Sequence, residues 1–332
     1  MATKVREMTV VTPSASHPNP LISHDKLRQL YSMMLKCRLL DELARMLRKQ
    51  AGFEDDRDSS IGQEAIAVGA AIDLRPEDTV APSRDDFILS YIKGAPLVAL
   101  FSQLYERTTR PDRGRVLPDD SEYAPQHIII PASTLDAQLD LCTDIAVTNQ
   151  RKKNDKVVMV FSGEKAASPD AWHQALHFAG VRSLPIVFVC ANNMLAESAS
   201  AQPEESFDNI SPKADGFGFD FPGITVDGKD AVAMYRVAHE AVERARFGGG
   251  PTLIEAQTFP EYGPNYLDLA QYRAADTVEE WESSDPIAAM ERYLTGKGLF
   301  SEGWKKEIIA AFQQELDAAV EVAEDDRCGA SA

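Results

Sequence analysis

Basic side chains are scarce in this chain of 332 residues: 34 lysines and arginines stand against 52 aspartates and glutamates, giving a net charge of −18. Because nucleic acid and the inner face of a bilayer are both anionic, this balance argues against either as a partner. Long apolar runs are also missing. Residues 185–191 are typical of the longest, far short of the roughly 20 residues that cross a bilayer. The sequence therefore predicts a protein that binds neither nucleic acid nor membrane.

Cysteines are few as well, and none of the four, at positions 37, 142, 190 and 328, forms a CxxC pair. Cys37 and Cys190 fall in apolar segments, which favours buried thiols in a reducing compartment. Residues 1–20 lack the compact apolar core of a signal peptide and are rich in Ser, Thr and Pro. We therefore expect a flexible N-terminal arm on a cytoplasmic protein.

An alternation of strands and helices runs through most of the chain. Hydrophobic residues make up 44% of it, enough for a large globular core. The strand candidates are 78–83, 127–130, 156–161, 185–190, 223–226 and 252–258. The helix candidates are 27–50, 62–72, 87–105, 135–150, 170–181, 230–246 and 285–324. This order predicts an α/β fold, a mostly parallel sheet with helices on both faces, followed by a C-terminal helical segment.

Polar side chains follow two of the predicted strands. The strand at 156–161 leads into Gly163 and Glu164, and the strand at 185–190 leads into Asn193. Ligands of parallel sheets bind at the carboxyl ends of the strands, where both groups would lie. Carboxylate and carboxamide oxygens are the hard ligands that Mg²⁺ prefers. The pattern predicts a diphosphate and metal site at this edge.

Each of these groups also has an ordinary structural explanation. Glu164 in isolation is typical of a solvated loop, and an Asn pair can cap the following segment. Arg84, followed by two aspartates, can belong to a surface ion cluster.

In its motifs the chain resembles the alpha subunit of the thiamine-diphosphate-dependent 2-oxo acid dehydrogenases, and the branched-chain type most closely. The resemblance runs from about Leu27 to Glu324 and rests on the order and spacing of its landmarks. These are residues 61–65 (IGQEA), 74–78 (LRPED), 84, 114–115, 163–164, 173, 184–185, 192–193, 226–228 (VDG), 250–255 (GPTLIE) and 284–287 (SDPI). It implies a thiamine-diphosphate-binding fold over residues 21–280, with a C-terminal helical extension over residues 281–332.

The resemblance also implies a magnesium site. Glu164, the side chain of Asn193 and the backbone carbonyl of Leu195 would hold Mg²⁺, which bridges the diphosphate oxygens of the cofactor. Gly163 precedes the metal ligand, and the next position in the family is a second glycine. Here that position is Lys165.

Three further residues match cofactor-binding positions of the family. Arg84 corresponds to the arginine that binds the diphosphate in this family. A guanidinium suits that role because it can bind two phosphate oxygens at once. Ser133 and Leu135 correspond to the segment that approaches the aminopyrimidine ring. No catalytic residue is assigned in this chain.

The implied partner is a beta subunit in an α₂β₂ heterotetramer, with the cofactor at the interface between the two kinds of subunit. The alternative assembly is a homo-oligomer. An active complex of this kind decarboxylates a 2-oxo acid oxidatively and passes the acyl group to a lipoyl-bearing acyltransferase.

Several departures from the family pattern lie close to the implied site. Lys165 either stands in for the metal ion or pairs with Glu164 in an abandoned site. Ser83, Asp119 or Asp120, Ala191 and the segment 261–265 replace a tyrosine, a histidine, an arginine and a His-rich loop, and no histidine follows residue 239. We therefore keep two alternatives to an active subunit: a non-catalytic structural or regulatory homologue, and a pocket that binds another anion.

Overall fold

Five strands form one sheet in the computed structural model, which describes residues 22–50, 60–82, 87–109, 127–128, 135–163, 170–193, 221–258 and 285–329. The strands are β1 (Thr79–Ala81), β2 (Val158–Gly163), β3 (Ile186–Asn193), β4 (Gly223–Asp227) and β5 (Thr252–Thr258). Their order across the sheet is β1-β2-β3-β5-β4, and every pairing is parallel. The predicted α/β class with a parallel sheet is confirmed.

Helices cover both faces of this sheet, as predicted. They are α1 (His24–Gln50), α2 (Glu64–Ala71), α3 (Phe87–Ile92), α4 (Leu97–Thr109), α5 (Leu135–Lys152), α6 (Asp170–Arg182), α7 (Ala231–Arg246), α8 (Pro286–Gly296) and α9 (Glu302–Gly329). One face packs against α1, α2, α7 and α8, and the other packs against α5 and α6. No helix in the described part of the chain is both long and apolar enough to cross a bilayer.

Strand β3 shows why these sequences form a sheet that is buried on two sides. Val187 and Val189 enter the core beneath α1, α2 and α7, whereas Ile186 and Phe188 enter the core beneath α5 and α6. Side chains alternate between the faces of a strand, so a strand covered on both faces is apolar throughout. The continuous apolar runs in the sequence therefore indicate strands that are covered on both faces.

Two predicted helices are each divided in the structure. The segment 87–105 breaks into α3 and α4 at Gly94, whose φ of +89° takes the chain out of the helix, and Pro96 lies just before α4 begins. The predicted helix 285–324 divides in the same way into α8 and α9 at Gly298, whose φ is +69°. The predicted strand 127–130 is represented in the described residues by a single bridge between Ile128 and Val80.

A third apolar cluster joins α9 to α4 and α1. Phe312 and Leu316 of α9 are fully buried against Phe101 of α4 and Leu40 of α1. The last helix, α9, therefore packs on α4 and α1. The division into an arm, a domain ending at 280 and a C-terminal extension remains a prediction.

The predicted burial of thiols agrees with the structure. Cys37 and Cys190 are both buried and unoxidised, and so is Cys142. Each lies in an apolar cluster of one of the two sheet faces.

Candidate functional site

The carboxyl ends of β2 and β3 lie side by side at one edge of the sheet. Gly163, the last residue of β2, pairs with Ala191, and β3 continues for two more residues to Asn193. At that point the partner of Asn193 is Thr258, the last residue of β5. Two segments that are separated in sequence by a whole helix therefore meet at this edge.

Few of the predicted site residues fall within the described part of the chain. Leu135 is the first residue of α5, Gly163 ends β2, and the backbone of Asn193 ends β3. The other predicted residues, Arg84, Ser133, Glu164, Lys165 and Leu195, lie outside the described residues, as do residues 83, 119, 120 and 261–265. The roles assigned to all of them remain predictions.

Small residues line one face of the sheet next to this edge. Gly163, Ala191 and Ala256 occupy the same row of three adjacent strands. Among the described residues, a Cβ built on Gly163 would meet no atom within 4 Å. The backbone at the end of β2 is thus approachable, and close approach to backbone is what a phosphate group requires.

A buried carboxylate lies one row further into the sheet than Gly163, Ala191 and Ala256. Glu255 of β5 has no exposed surface; its Oε1 accepts a hydrogen bond of 2.7 Å from Nδ2 of Asn192, which is itself 4% exposed. Its Oε2 accepts one of 3.3 Å from the hydroxyl of Thr225 in β4. The carboxylate therefore ties β5 to the strands on either side of it.

The hydroxyl of Thr258 is a second buried polar group here. Thr258 is fully buried, and its Oγ1 has no hydrogen-bond partner in the described part of the structure. It lies in the strand position directly opposite Asn193. A buried hydroxyl without a partner is costly, and this one is available to a bound polar group. Together with the backbone at Gly163, it gives the described edge two groups that suit a bound phosphate; the groups that would hold a metal ion lie outside the described residues.

A buried ion network lies at the start of α2. Nη2 of Arg38 donates to Oε2 of Glu64 at 3.0 Å and to Oδ1 of Asp285 at 2.8 Å, and Nε of Arg38 donates to the other oxygen of Glu64. The backbone N–H of Gly62 also donates to Glu64, at 3.0 Å. Burial raises the pKa of Glu64 to about 6, against the opposing effect of Arg38. Because the charge of Arg38 is already neutralised, we interpret this network as structural.

Sequence reasoning missed the two buried carboxylates at 64 and 255. Both lie in quoted motifs, IGQEA and GPTLIE, but neither was considered as a buried group. A glutamate between apolar neighbours, Ile254 and Ala256, in a predicted strand was the available signal for Glu255. Among the described residues, no cluster of three or more His, Cys, Asp or Glu could hold a metal ion, and the predicted ligands Glu164 and Leu195 fall outside those residues.

Residues 31–330 match the sequence profile of the family described as "Dehydrogenase E1 component". The chain belongs to this family. It is similar to the pyruvate dehydrogenase E1 component subunit alpha of Bacillus subtilis, with 32% identity over 310 residues, 92% of this chain and 80% of that protein. The subunits of the same description from Staphylococcus aureus and Staphylococcus epidermidis are 30% identical over the same shares.

The resemblance drawn from the motifs is thus confirmed at the level of dehydrogenase E1 alpha subunits. The relatives named above are of the pyruvate type, so the preference for the branched-chain type remains a prediction.

Proposed function

We propose that this chain acts as the alpha subunit of the E1 component of a 2-oxo acid dehydrogenase. The complex would decarboxylate a 2-oxo acid oxidatively and transfer the acyl group to a lipoyl group. The observation that carries the proposal is the family match over residues 31–330. The meeting of β2 and β3 at the carboxyl edge of the sheet supports it, because ligands of parallel sheets bind there.

The proposed cofactor is thiamine diphosphate with Mg²⁺. When bound, the cofactor supplies the nucleophilic carbon and the electron sink that decarboxylation of a 2-oxo acid needs. This chain would supply the diphosphate and metal side of the site. Glu164, Asn193 and Leu195 would hold the metal ion. Arg84, Gly163 and Lys165 would contact the diphosphate, and Ser133 and Leu135 would contact the aminopyrimidine ring.

The proposed partner is a beta subunit in an α₂β₂ assembly, with a homo-oligomer as the alternative. A lipoyl-bearing acyltransferase would receive the acyl group, and neither nucleic acid nor membrane is a proposed partner. The net charge of −18 supports the last point. We propose a cytoplasmic location because three cysteines are buried as thiols.

A second candidate is a non-catalytic homologue, or a pocket for another anion. The observation that favours it is Ala191, which pairs directly with Gly163 at the edge and carries no charge where the branched-chain type has an arginine. Lys165 adds to this argument, because a lysine there places an ammonium beside the predicted Mg²⁺ site and repels the metal ion.

A thermal-shift assay with thiamine diphosphate plus Mg²⁺ separates these candidates, run on the chain alone and on the chain with its co-purifying partner. Ligand at 100 times its Kd stabilises a protein by about 2.7 kcal/mol, a rise of a few degrees in Tm. The proposed function predicts this rise in the wild type. The control is Lys153→Gly, which removes the same charge by the same substitution. Lys153 is exposed, and its φ of +52° is one that glycine adopts readily.

The other outcomes are equally distinct. A rise in Lys165→Gly alone, and not in the wild type or in Lys153→Gly, would show that Lys165 blocks the site, as expected of a non-catalytic homologue. An equal rise with inorganic pyrophosphate, without dependence on the thiamine part, would indicate a pocket for another anion. Absence of any rise in all variants, with the partner present, would contradict cofactor binding.

A further inference from the structure

The end of β3 is held differently from the rest of the strand. Up to Ala191, β3 has β2 on one side and β5 on the other, because the pairing with β2 ends at Gly163. Within the described residues, the final two positions of β3, Asn192 and Asn193, pair with β5 alone. A strand end held by one neighbour frays more readily than one held by two.

A side-chain contact adds to the pairing of this strand end with β5. The amide of Asn192 donates to Oε1 of Glu255 at 2.7 Å, and both side chains are buried. The other oxygen of Glu255 accepts from Thr225, so the carboxylate is braced against β4 as well. The end of β3 is thereby tied to β5 by a side-chain contact as well as by strand pairing, and through Glu255 it is also linked to β4.

An apolar residue would suit position 255 better if packing were its only task. Leu253 and Phe188 fill the same face of the sheet nearby, and replacing buried charges by apolar groups is often neutral or stabilising. A carboxylate that accepts hydrogen bonds on both oxygens instead fixes the orientation of the side chains that donate to it. Its partner Asn192 directly precedes the predicted metal ligand Asn193.

We propose that Glu255 is a positioning residue for the cofactor edge. By holding the side chain of Asn192, it fixes the backbone at the end of β3 and so presents Asn193 to the ligand. The identity of that ligand, thiamine diphosphate with Mg²⁺, rests on the proposed function; the hold on the end of β3 does not.

Hydrogen exchange, followed by mass spectrometry on the full chain without ligand, tests the hold itself. In Glu255→Ala we expect amide exchange at residues 191–193 to rise about tenfold, while residues 158–163 of β2 change little. Asn192→Ala should give the same pattern, and the double variant no more than either single one, because both remove the same contact. Glu255→Gln keeps an acceptor for Asn192 and should stay near the wild-type rate.

The control for loss of volume is Ile254→Ala, which truncates the neighbouring buried residue of β5 on the opposite face. It should lower Tm without selective exchange at residues 191–193. If Glu255→Ala behaves like Ile254→Ala, or if exchange at residues 191–193 stays at the wild-type rate, Glu255 is a packing residue only and the inference is wrong.

Calorimetric titration with Mg²⁺ and thiamine diphosphate then tests the link to the ligand, with the co-purifying partner present. We expect the Kd to rise about tenfold or more in Glu255→Ala and to recover in Glu255→Gln. Unchanged affinity in Glu255→Ala would overturn the positioning role. If the wild type itself does not bind, the proposed function fails, and the exchange experiment still decides whether Glu255 holds the strand end.

Discussion

Asp78 and Arg246 form a two-point ion pair in the interior of the protein. Nη1 of Arg246 donates to Oδ1 of Asp78 at 3.0 Å and Nη2 donates to Oδ2 at 2.8 Å, with both side chains at most 2% exposed. The carboxylate also accepts from the backbone N–H groups of Arg75 and Val157. Since Asp78 precedes β1 and Arg246 ends α7, the pair fastens that helix to the amino edge of the sheet, opposite the candidate site.

Asp78→Asn should strongly destabilise the fold. The substitution leaves the buried guanidinium of Arg246 with only the half-exposed Glu243, 3.4 Å from its Nε, as a counter-charge. Breaking a buried pair in this way costs about 3–5 kcal/mol. Urea unfolding at pH 7 measures the free energy of unfolding. The control is Asp155→Asn, which removes an exposed carboxylate that pairs with Arg75 and should leave the urea midpoint nearly unchanged. Equal losses in the two variants would contradict a special role for the buried pair.

The carboxyl group of Glu64 should make the stability depend on pH. Burial raises its pKa from 4.5 to about 6, so between these values the folded chain binds more protons than the unfolded chain. The contribution of Glu64 is therefore fully present below pH 4.5 and is lost as the pH rises through 6. Relative to Glu64→Gln, which cannot titrate, the wild type should lose about 2 kcal/mol between pH 4.5 and pH 7.

Urea titrations of both proteins across this range measure the difference. Glu302→Gln, at an exposed position at the start of α9, is the control for the loss of one acidic group. A difference that stays constant, or that grows in favour of the wild type as the pH rises, would show that Arg38 outweighs burial at this carboxyl.

Gly69 permits close contact between α2 and α7. A Cβ at this position would lie 2.7 Å from Cβ of Met234, so Gly69→Ala should force the helices apart and cost about 1–3 kcal/mol. Alanine favours a helix by about 1 kcal/mol over glycine. A loss of stability in Gly69→Ala would therefore show that packing outweighs helix propensity. Gly303→Ala in α9, where a Cβ meets nothing within 4 Å, should leave Tm unchanged or raise it. A gain in Tm for both variants would rule out the packing constraint.

The sequence predicted what depends on local pattern and missed what depends on strand order. Apolar runs and their alternation identified the helices and the parallel sheet. The position of residues 163 and 193 at the ends of two predicted strands correctly indicated that these strand ends meet. The contact between Asn192 and Glu255 joins β3 to β5. These two strands lie side by side in the sheet, although β4 comes between them in the sequence. Likewise, Asp78 and Arg246 are 168 residues apart. No local pattern encodes such pairs.

The hydroxyl of Thr258 provides a direct test of ligand contact at the carboxyl edge. Thr258 and Thr252 lie at opposite ends of β5, both are buried, and in the described part of the structure neither Oγ1 has a hydrogen-bond partner. Replacing either residue by valine keeps the shape and removes a buried polar atom that is not satisfied. Both variants should therefore be stabilised by about 1 kcal/mol without ligand, as measured by urea unfolding.

Only Thr258→Val should lose affinity for the cofactor, because only its hydroxyl lies at the edge where Gly163 and Asn193 end their strands. Removing one hydrogen bond to a charged ligand costs about 1.5–3 kcal/mol, which is a rise of roughly 10- to 150-fold in the Kd for thiamine diphosphate plus Mg²⁺. Titration calorimetry with the partner present measures it. Thr252→Val, with the same change at the amino end of β5, should bind as the wild type does. Equal affinities in the two variants would mean that the Thr258 hydroxyl does not contact the cofactor.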